Sequence, residues 1–299
     1  MGTTPKRIAI IGAGTTGLAT AAGLIEQGHD VTVFERFDSA QPIGAGLMLQ
    51  PTGLACLDRL GLGEAARSYG ARLGRIDGRT ASGTTIFDIG YAAMGADVAG
   101  YGIHRGALFG MLHEAAATRG VPIHCGVEVA SAPLDGDTRV LLDRDGEERG
   151  RADLVVDATG ARSRLRARHA AIRLNRPYPY GAVWGVVRDP DGSWTASGAL
   201  QQRYVAARIM IGVLPIGHLH MGAGPPLLAV FWSLPVRDHK RWRETPFAEW
   251  QAQVSDLWPE AEPLVTQFGA HDHLTWAEYS DVVLNRPVDQ RLAFAGDAA

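Results

Sequence analysis

At 299 residues, with 46% hydrophobic and 20% charged residues, the chain is long enough for two domains and apolar enough for ordinary globular cores. A formal net charge of -3 provides no broad positive field for a phosphate backbone or an anionic membrane. Nucleic acid is therefore excluded as an expected partner.

The opening "MGTTPKRIAIIG" moves straight into a strand without a signal-peptide pattern, and no stretch is long and apolar enough for an integral membrane segment. Lys6 stands where a myristoylation signal after Met1-Gly2 wants Ser or Thr. The expected location is cytoplasmic. From Arg7, "RIAIIGAGTTGLATAAGLIEQGHDVTVFER" predicts a strand, a glycine turn, a small-residue helix closed by Gly28, and a second strand carrying alternating Val31 and Val33. Within "GAGTTG", Gly12 permits a tight turn, Gly14 lets the backbone approach a pyrophosphate, and Gly17 lets the helix pack on the strand. Amides at the helix start then point at the anion, aided by the helix dipole. Glu35 ends the second strand, where its carboxylate can accept from an adenosine ribose and would repel a 2′-phosphate. Together these features predict dinucleotide binding and disfavour NADP at that site.

Next comes the Gly-rich "PIGAGLMLQPTG", then "LACLDRLGL" with Leu54, Leu57 and Leu60 at helical spacing. "HRGALFGMLHEAAATRG" repeats that logic, with Leu108, Met111, Leu112 and Ala115 on one face and Gly120 as its stop. The stretch from Val121 to Gly160 predicts a strand, a β-meander with Asp-Gly turns at Gly136 and Gly146, and an apolar strand ending at Asp157. The only cysteines, Cys56 in the predicted helix and Cys125 in the predicted strand, are expected as buried, reduced thiols rather than a disulfide or metal site. Asp157 reads alternatively as a cap for the turn before a helix, and at least two of Arg162, Arg164 and Arg166 as a solvated face.

From about Arg173 to Arg286, "GAVWGVV", "ARIMIGVLPIG" and "LLAVFWSLP" predict an antiparallel sheet, with "TPFAEWQAQVSDLW" as a helix beside it. Trp184, Tyr204, Met210, Phe231 and Trp232 could line an aromatic pocket, though strand-favouring residues of this kind chiefly make sheet core. The pairs His218/His220 and His271/His273 are loose as metal motifs and are expected as turn histidines, so no metal is assigned. The last segment, "RLAFAGDAA", predicts a strand returning to the first domain.

A simple NAD dehydrogenase would continue the first βαβ unit with regular βα units. This order of motifs instead resembles the FAD-dependent monooxygenases of the para-hydroxybenzoate hydroxylase type, the class A flavoprotein hydroxylases, over nearly the whole chain. The resemblance implies an α/β two-domain protein. Its Rossmann-like FAD-binding domain with a β-meander insertion would span 1–172, with 70–100 able to join the second domain. An antiparallel-sheet substrate domain would span 173–286, and 287–299 would be the return strand. Cofactor contacts are implied at Gly12, Ala13, Gly14, Thr16 and Gly17 in the first loop, at Glu35 and Arg36 after the second strand, and at Gln50, placed where the family has a polar residue before proline. Arg105 matches the arginine that reaches the FAD phosphates or ribityl region, and Val129 is a further implied contact. "DATG" departs from the family's Ala-Asp-Gly core at Thr159, followed by Gly160, which makes nicotinamide handling less secure. Gly296 and Asp297 match the Gly-Asp motif whose aspartate bonds the FAD ribityl chain. The family's following loop and helix are absent from this sequence, so it looks like an incomplete member.

In the resembled family NAD(P)H, a transient reductant, reduces the flavin, O₂ adds at C4a, and the hydroperoxide oxygenates a small, activated aromatic or polyketide-like substrate. No triad, paired carboxylates or metal signature emerges, and no side chain is assigned a catalytic role. Two other readings are a related FAD-dependent reductase, motivated by "DATG", and a catalytically incomplete FAD-binding remnant. Halogenase chemistry is disfavoured because "RWRETPF" lacks the required tryptophan motif.

Overall fold

The structure is a computed structural model that describes residues 4–41, 44–206, 208–220 and 224–299. The expectations touching Met1-Gly2, Pro42-Ile43 of the Gly-rich loop, and Ala207 lie outside the described residues. The chain divides into two compact units, one of 1–42, 109–176 and 280–299, the other of 43–108 and 177–279. These cuts differ from the expected spans 1–172, 173–286 and 287–299: not only 70–100 but the whole of 43–108 groups with the second unit, and 173–176 and 280–286 group with the first.

The first unit is organised by the apolar run Arg7–Ile11, which is buried beyond its first residue and takes a central place in a six-stranded sheet. It pairs in parallel with Asp30–Phe34 on one side and Leu154–Asp157 on the other, and Leu292–Phe294 adds in parallel beyond the latter. Strands buried in this way read as continuous apolar runs, which explains why they were visible in sequence. Helix Thr15–Glu26 buries Gly17, Leu18, Ala21 and Ala22, the small side that lets it lie close to the sheet. The predicted meander forms from Leu134–Asp135, Thr138–Leu142 and Glu148–Ala152. Its core joins Ala9, Ile11, Phe34, Val129, Leu141, Val155, Leu165 and Phe294.

A seven-stranded sheet runs in the order Thr275–Leu284, Ile172–Arg188, Leu227–Pro235, Ile209–Gly217, Ala199–Val205, Arg75–Thr80 and Thr85–Gly90, all of it in the second unit except 172–176 and 280–284. Side-chain alternation divides its faces. Val183, Val187, Ile211, Val213, Val230 and Trp232 point toward helix Phe247–Leu257, whose Trp250 and Val254 complete that core. Trp184, Met210, Leu214, Ile216, Ala229 and Phe231 point the other way, into a cluster with Leu73 and Leu200. The neighbours from Ile172–Arg188 through Leu227–Pro235 and Ile209–Gly217 to Ala199–Val205 pair antiparallel as expected, whereas Ala199–Val205 pairs in parallel with Arg75–Thr80. A second, three-stranded sheet is formed by Gly46–Leu49, Gly100–His104 and Ala71–Leu73.

The expectation for the cysteines needs correction. Neither is in a disulfide, yet Cys56 and Cys125 are both exposed. On helix Pro51–Arg59 the buried positions are Leu54 and Leu57, so Cys56 falls off that stripe; Cys125 follows the two-residue strand Ile123–His124 and so lies past its end. Among the described residues no helix is long and apolar enough to cross a membrane.

Candidate cofactor and substrate sites

In the first unit the cofactor candidates gather where three strands end. Gly12, at φ +103°, donates its N–H to Phe34 O at 2.7 Å, and a Cβ there would lie 2.6 Å from Ala158 O. A Cβ on Gly17 would meet Gly12 O at 1.9 Å, so the helix must carry glycine at that crossing. Gly14 differs: its backbone is extended and nothing stands within 4 Å of its Cβ position. Its Cα therefore faces space free of other protein atoms. Gly14 is the N-cap of Thr15–Glu26, and no side chain caps that helix. Its first-turn amides are therefore left to an anion, with the helix dipole behind them.

Glu35 is buried and does more than the ribose role alone demands. Its Oε2 accepts from Ala13 N at 2.8 Å and its Oε1 from Phe37 N at 3.0 Å, so the carboxylate also braces the glycine loop. Both oxygens retain acceptor capacity for a ribose hydroxyl. The Arg36 guanidinium lies over the Phe37 ring at 4.6 Å. The Val129 side chain is packed in the core, which leaves only its main chain for a cofactor contact.

Asp157 is fully buried and holds the next turn together. It accepts from Thr159 N at 3.0 Å, from Thr159 Oγ1 at 2.7 Å, and from the Ser163 hydroxyl. Ser163 in turn caps Arg164–His169 by accepting from Arg166 N at 2.8 Å. The Thr159 side chain is thus committed to the turn, as the capping alternative for Asp157 implies. Of the three nearby arginines, Arg162 and Arg164 are exposed whereas Arg166 is buried. Its guanidinium donates to Ala161 O, to Asp297 O at 2.9 Å and to Ala298 O at 3.2 Å. The Gly-Asp segment is fixed from its other side by close approach, since a Cβ on Gly296 (φ +59°) would lie 2.5 Å from Thr16 Oγ1. Asp297 itself is exposed, and its carboxylate has no recorded partner among the described residues. The i+3 spacing of Arg166 from the Ser163 cap marks its backbone N–H, but nothing local in the sequence marks the burial of its guanidinium.

The remaining two cofactor candidates are in the second unit. Gln50 precedes helix Pro51–Arg59, and its Oε1 accepts from Tyr91 OH at 2.6 Å. The Arg105 stem packs against Gly44, whose Cβ would lie 3.0 Å from Arg105 Cδ, and Arg105 N donates to Ala45 O at 3.0 Å. The two residues sit at opposite ends of the antiparallel pair Gly46–Leu49 and Gly100–His104. Beside Arg105, burial and then the neighbouring His220 push the His104 imidazole below its ordinary pKa, and its Nδ1 accepts from Gly106 N at 3.0 Å.

The sheet face turned away from helix Phe247–Leu257 carries an aromatic platform. Trp184 and Phe231 lie with ring centroids 4.5 Å apart, Trp184 Nε1 donates to Tyr279 OH at 3.1 Å, and Met210 packs beside them. Phe231 spreads over Gly212, where a Cβ would meet the ring at 2.0 Å. Tyr204 OH donates to Gln202 Oε1 at 3.0 Å, and burial pushes the phenol pKa up, which keeps it a donor. Trp232, by contrast, belongs to the opposite face and is core. His271–His273 form a short turn, with the His271 ring against Trp242 and Phe247. Among the described residues no group of three possible metal ligands gathers.

The features of the first unit fit a flavin dinucleotide: uncapped amides, open space at Gly14, a buried carboxylate at the strand end, and a braced Gly-Asp segment. Comparison with known proteins agrees. The FAD binding domain family matches residues 6–299. An FAD-dependent monooxygenase of Aspergillus terreus is 37% identical over 163 residues, covering 52% of this chain and 47% of that protein. The matched stretch thus spans about half of that relative. A 3-amino-4-hydroxybenzoate 2-monooxygenase of Streptomyces platensis is 28% identical over 98% of this chain and 73% of its own length. A crystal structure of a variant 2-methyl-3-hydroxypyridine-5-carboxylic acid oxygenase shares the fold, with TM-score 0.81 at 20% identity, covering 99% of this chain and 76% of that one.

Proposed function

The chain belongs to the FAD binding domain family, and from that premise we propose that it is an FAD-dependent monooxygenase using NAD(P)H and O₂ to oxygenate a small aromatic substrate. The observation that carries the reading is the occurrence, in one chain, of the FAD cradle at Gly12–Gly17 and Glu35 with the half-open aromatic platform of Trp184, Phe231 and Tyr279. The relatives' named substrates are planar rings bearing hydroxyl, amino or carboxyl groups, which suit such a platform.

FAD, when bound, would supply the redox chemistry between reduced nicotinamide and O₂. The chain's own groups bind and orient. The first-turn amides of Thr15–Glu26 would hold the pyrophosphate and Glu35 the adenosine ribose, with Ala13 N–H keeping that carboxylate in place. Asp297 would hold the ribityl chain, positioned by Arg166 through its main-chain carbonyl. Arg105 would add a fixed positive charge. Partly exposed Trp184, backed by buried Phe231, and exposed Tyr279 offer ring surface for stacking, while the Gln202 amide, oriented by Tyr204 OH, offers a polar anchor. Stacking on such walls also excludes water from the reacting ring. The reading includes a cytoplasmic site of action, where the reduced nicotinamide pool lies and where exposed, unpaired Cys56 and Cys125 remain reduced.

The test is aerobic turnover of the FAD-loaded protein with a panel of aminohydroxybenzoates and hydroxypyridine carboxylates, with labelled O₂. Substrate-stimulated NAD(P)H oxidation with one labelled oxygen in the product is expected. Oxidation that yields only peroxide across the panel, or product carrying no label, would sink the reading.

A further inference from the structure

In the first unit a concavity of about 350 Å³, with no glycine-loop residue in its lining, is lined by Ser131, Asp143, Arg144, Gly146, Arg164 and Arg168. Three guanidinium groups border it. Arg164 and Arg168 lie one turn apart on the exposed side of helix Arg164–His169, the side opposite buried Leu165 and Arg166. Arg144 comes from the tip of the meander, between strands Thr138–Leu142 and Glu148–Ala152.

The charges around this concavity do not cancel. Glu128 contacts Arg144 Nε at 2.6 Å and Arg164 Nε at 3.2 Å, so one carboxylate serves two arginines. Asp143 is matched elsewhere, by Arg149 at 2.6 Å, and its Oδ1 is taken by the turn amides of Asp145 and Glu147. No ion pair is recorded for Arg168 among the described residues. Three positive charges less the one on Glu128 leave an excess of two. Each guanidinium has five N–H donors in a planar fork, more than a shared carboxylate can accept, and the Ser131 hydroxyl adds a donor on the wall.

We propose that this concavity is a binding site for a dianionic phosphate group. A phosphomonoester carries about 1.5 to 2 negative charges at neutral pH and three acceptor oxygens, which matches both the excess charge and the forked donors. A lone carboxylate would leave part of that charge unmatched. The site is separate from the pyrophosphate cradle, whose contacts are backbone amides, and it does not depend on the oxygenation proposed above. Its ligand can be free phosphate or the phosphate arm of a nucleotide.

Calorimetric titration of the FAD-saturated protein at low ionic strength tests it, with inorganic phosphate, adenosine 2′-phosphate and adenosine as probes. Binding of the phosphate-bearing probes is expected, with no heat from adenosine. Arg168→Gln should weaken phosphate binding about tenfold. Glu128→Gln, which removes the competing carboxylate, should tighten it by about threefold or more. Opposite signs from two exposed or half-exposed positions separate a ligand effect from general damage to the fold, and matched thermal unfolding of both variants checks this directly. Adenosine 2′-phosphate binding more tightly than phosphate identifies a nucleotide as the source; equal binding identifies the free ion, and either supports the site. Absence of phosphate binding, or phosphate binding that Arg168→Gln leaves unchanged, overturns it.

Discussion

Two glycines in one loop do different physical work. Gly12 combines φ +103° with a Cβ position 2.6 Å from a backbone carbonyl, so any side chain there strains the apoprotein. Gly12→Ala should lose about 1–3 kcal/mol of stability, the range for a residue forced into a rarely populated backbone region. Gly14→Ala meets no atom within 4 Å and needs no unusual φ. The poorer N-cap preference of alanine and the reduced freedom of its unfolded chain oppose one another, each at about 1 kcal/mol or less. Its apoprotein stability should therefore stay within about 1 kcal/mol of wild type, while FAD affinity falls at least about tenfold as a methyl group enters the space facing the pyrophosphate. Urea unfolding of the apoprotein alongside FAD titration reads both quantities. Equal destabilisation of the two variants, or full FAD affinity in Gly14→Ala, would refute the division of labour. At this scale the sequence displayed the loop glycines and Glu35, because their spacing is local. It concealed Arg166, because burial of a guanidinium depends on carbonyls of Asp297 and Ala298 more than 100 residues away.

Between elements, a buried arginine ties the meander to the returning hairpin. Arg139, nearly inaccessible, donates to Ala132 O at 2.7 Å, Gln290 O at 2.9 Å and Asp289 Oδ2 at 2.8 Å. His169 completes the junction: its Nε2 accepts from Ala132 N at 3.2 Å and its Nδ1 lies 3.5 Å from Arg139. Burial, and then the adjacent Arg139 charge, hold the imidazole pKa below its ordinary value, outweighing the opposite pull of Asp289. The unfolded chain therefore binds a proton more readily than the folded one. The stabilisation is complete above the unfolded histidine value of about 6.5 and drains away as pH falls below it. His169→Gln keeps an acceptor for Ala132 N–H but cannot titrate, so its loss of stability between pH 7.5 and 5.5 should be smaller than that of wild type. His104 and His239, also lowered by burial, preserve part of the slope. Denaturant unfolding at the two pH values decides the matter, and an unchanged slope would remove His169 as its source. Elements whose signals are periodic, such as Thr15–Glu26 and Leu227–Pro235, were legible in sequence. The parallel pairing of Arg75–Thr80 with Ala199–Val205 was not, since nothing local distinguishes a parallel partner contributed from more than 100 residues away.

Each compact unit is assembled from separated stretches of chain, and this interleaving has consequences for folding. The expectation kept 1–172 in the first domain, with only 70–100 able to join the second and 287–299 returning, because the βαβ unit begins the sequence and the meander extends it. Hydrophobic closure dictates otherwise for 43–108: Leu73 enters the cluster of Leu200, Leu214, Ile216, Ala229 and Phe231, while Ala45, Met48 and Ile76 pack at its margin. Gly46 lies so close to this face that a Cβ would meet Ile216 at 2.5 Å. The same segment supplies two strands of the seven-stranded sheet. A fragment of 177–279 would retain the face built on Trp250 and Trp232 but expose the opposite one, and it would leave Ala199–Val205 as an unpaired edge. We expect that fragment to bind hydrophobic dyes, associate, and unfold without a cooperative transition, whereas the entire chain unfolds cooperatively. Urea unfolding followed by tryptophan fluorescence, together with sedimentation, would measure this. A monomeric 177–279 fragment with a sharp transition would show that the sheet closes without 43–108, and that this early segment serves binding rather than folding.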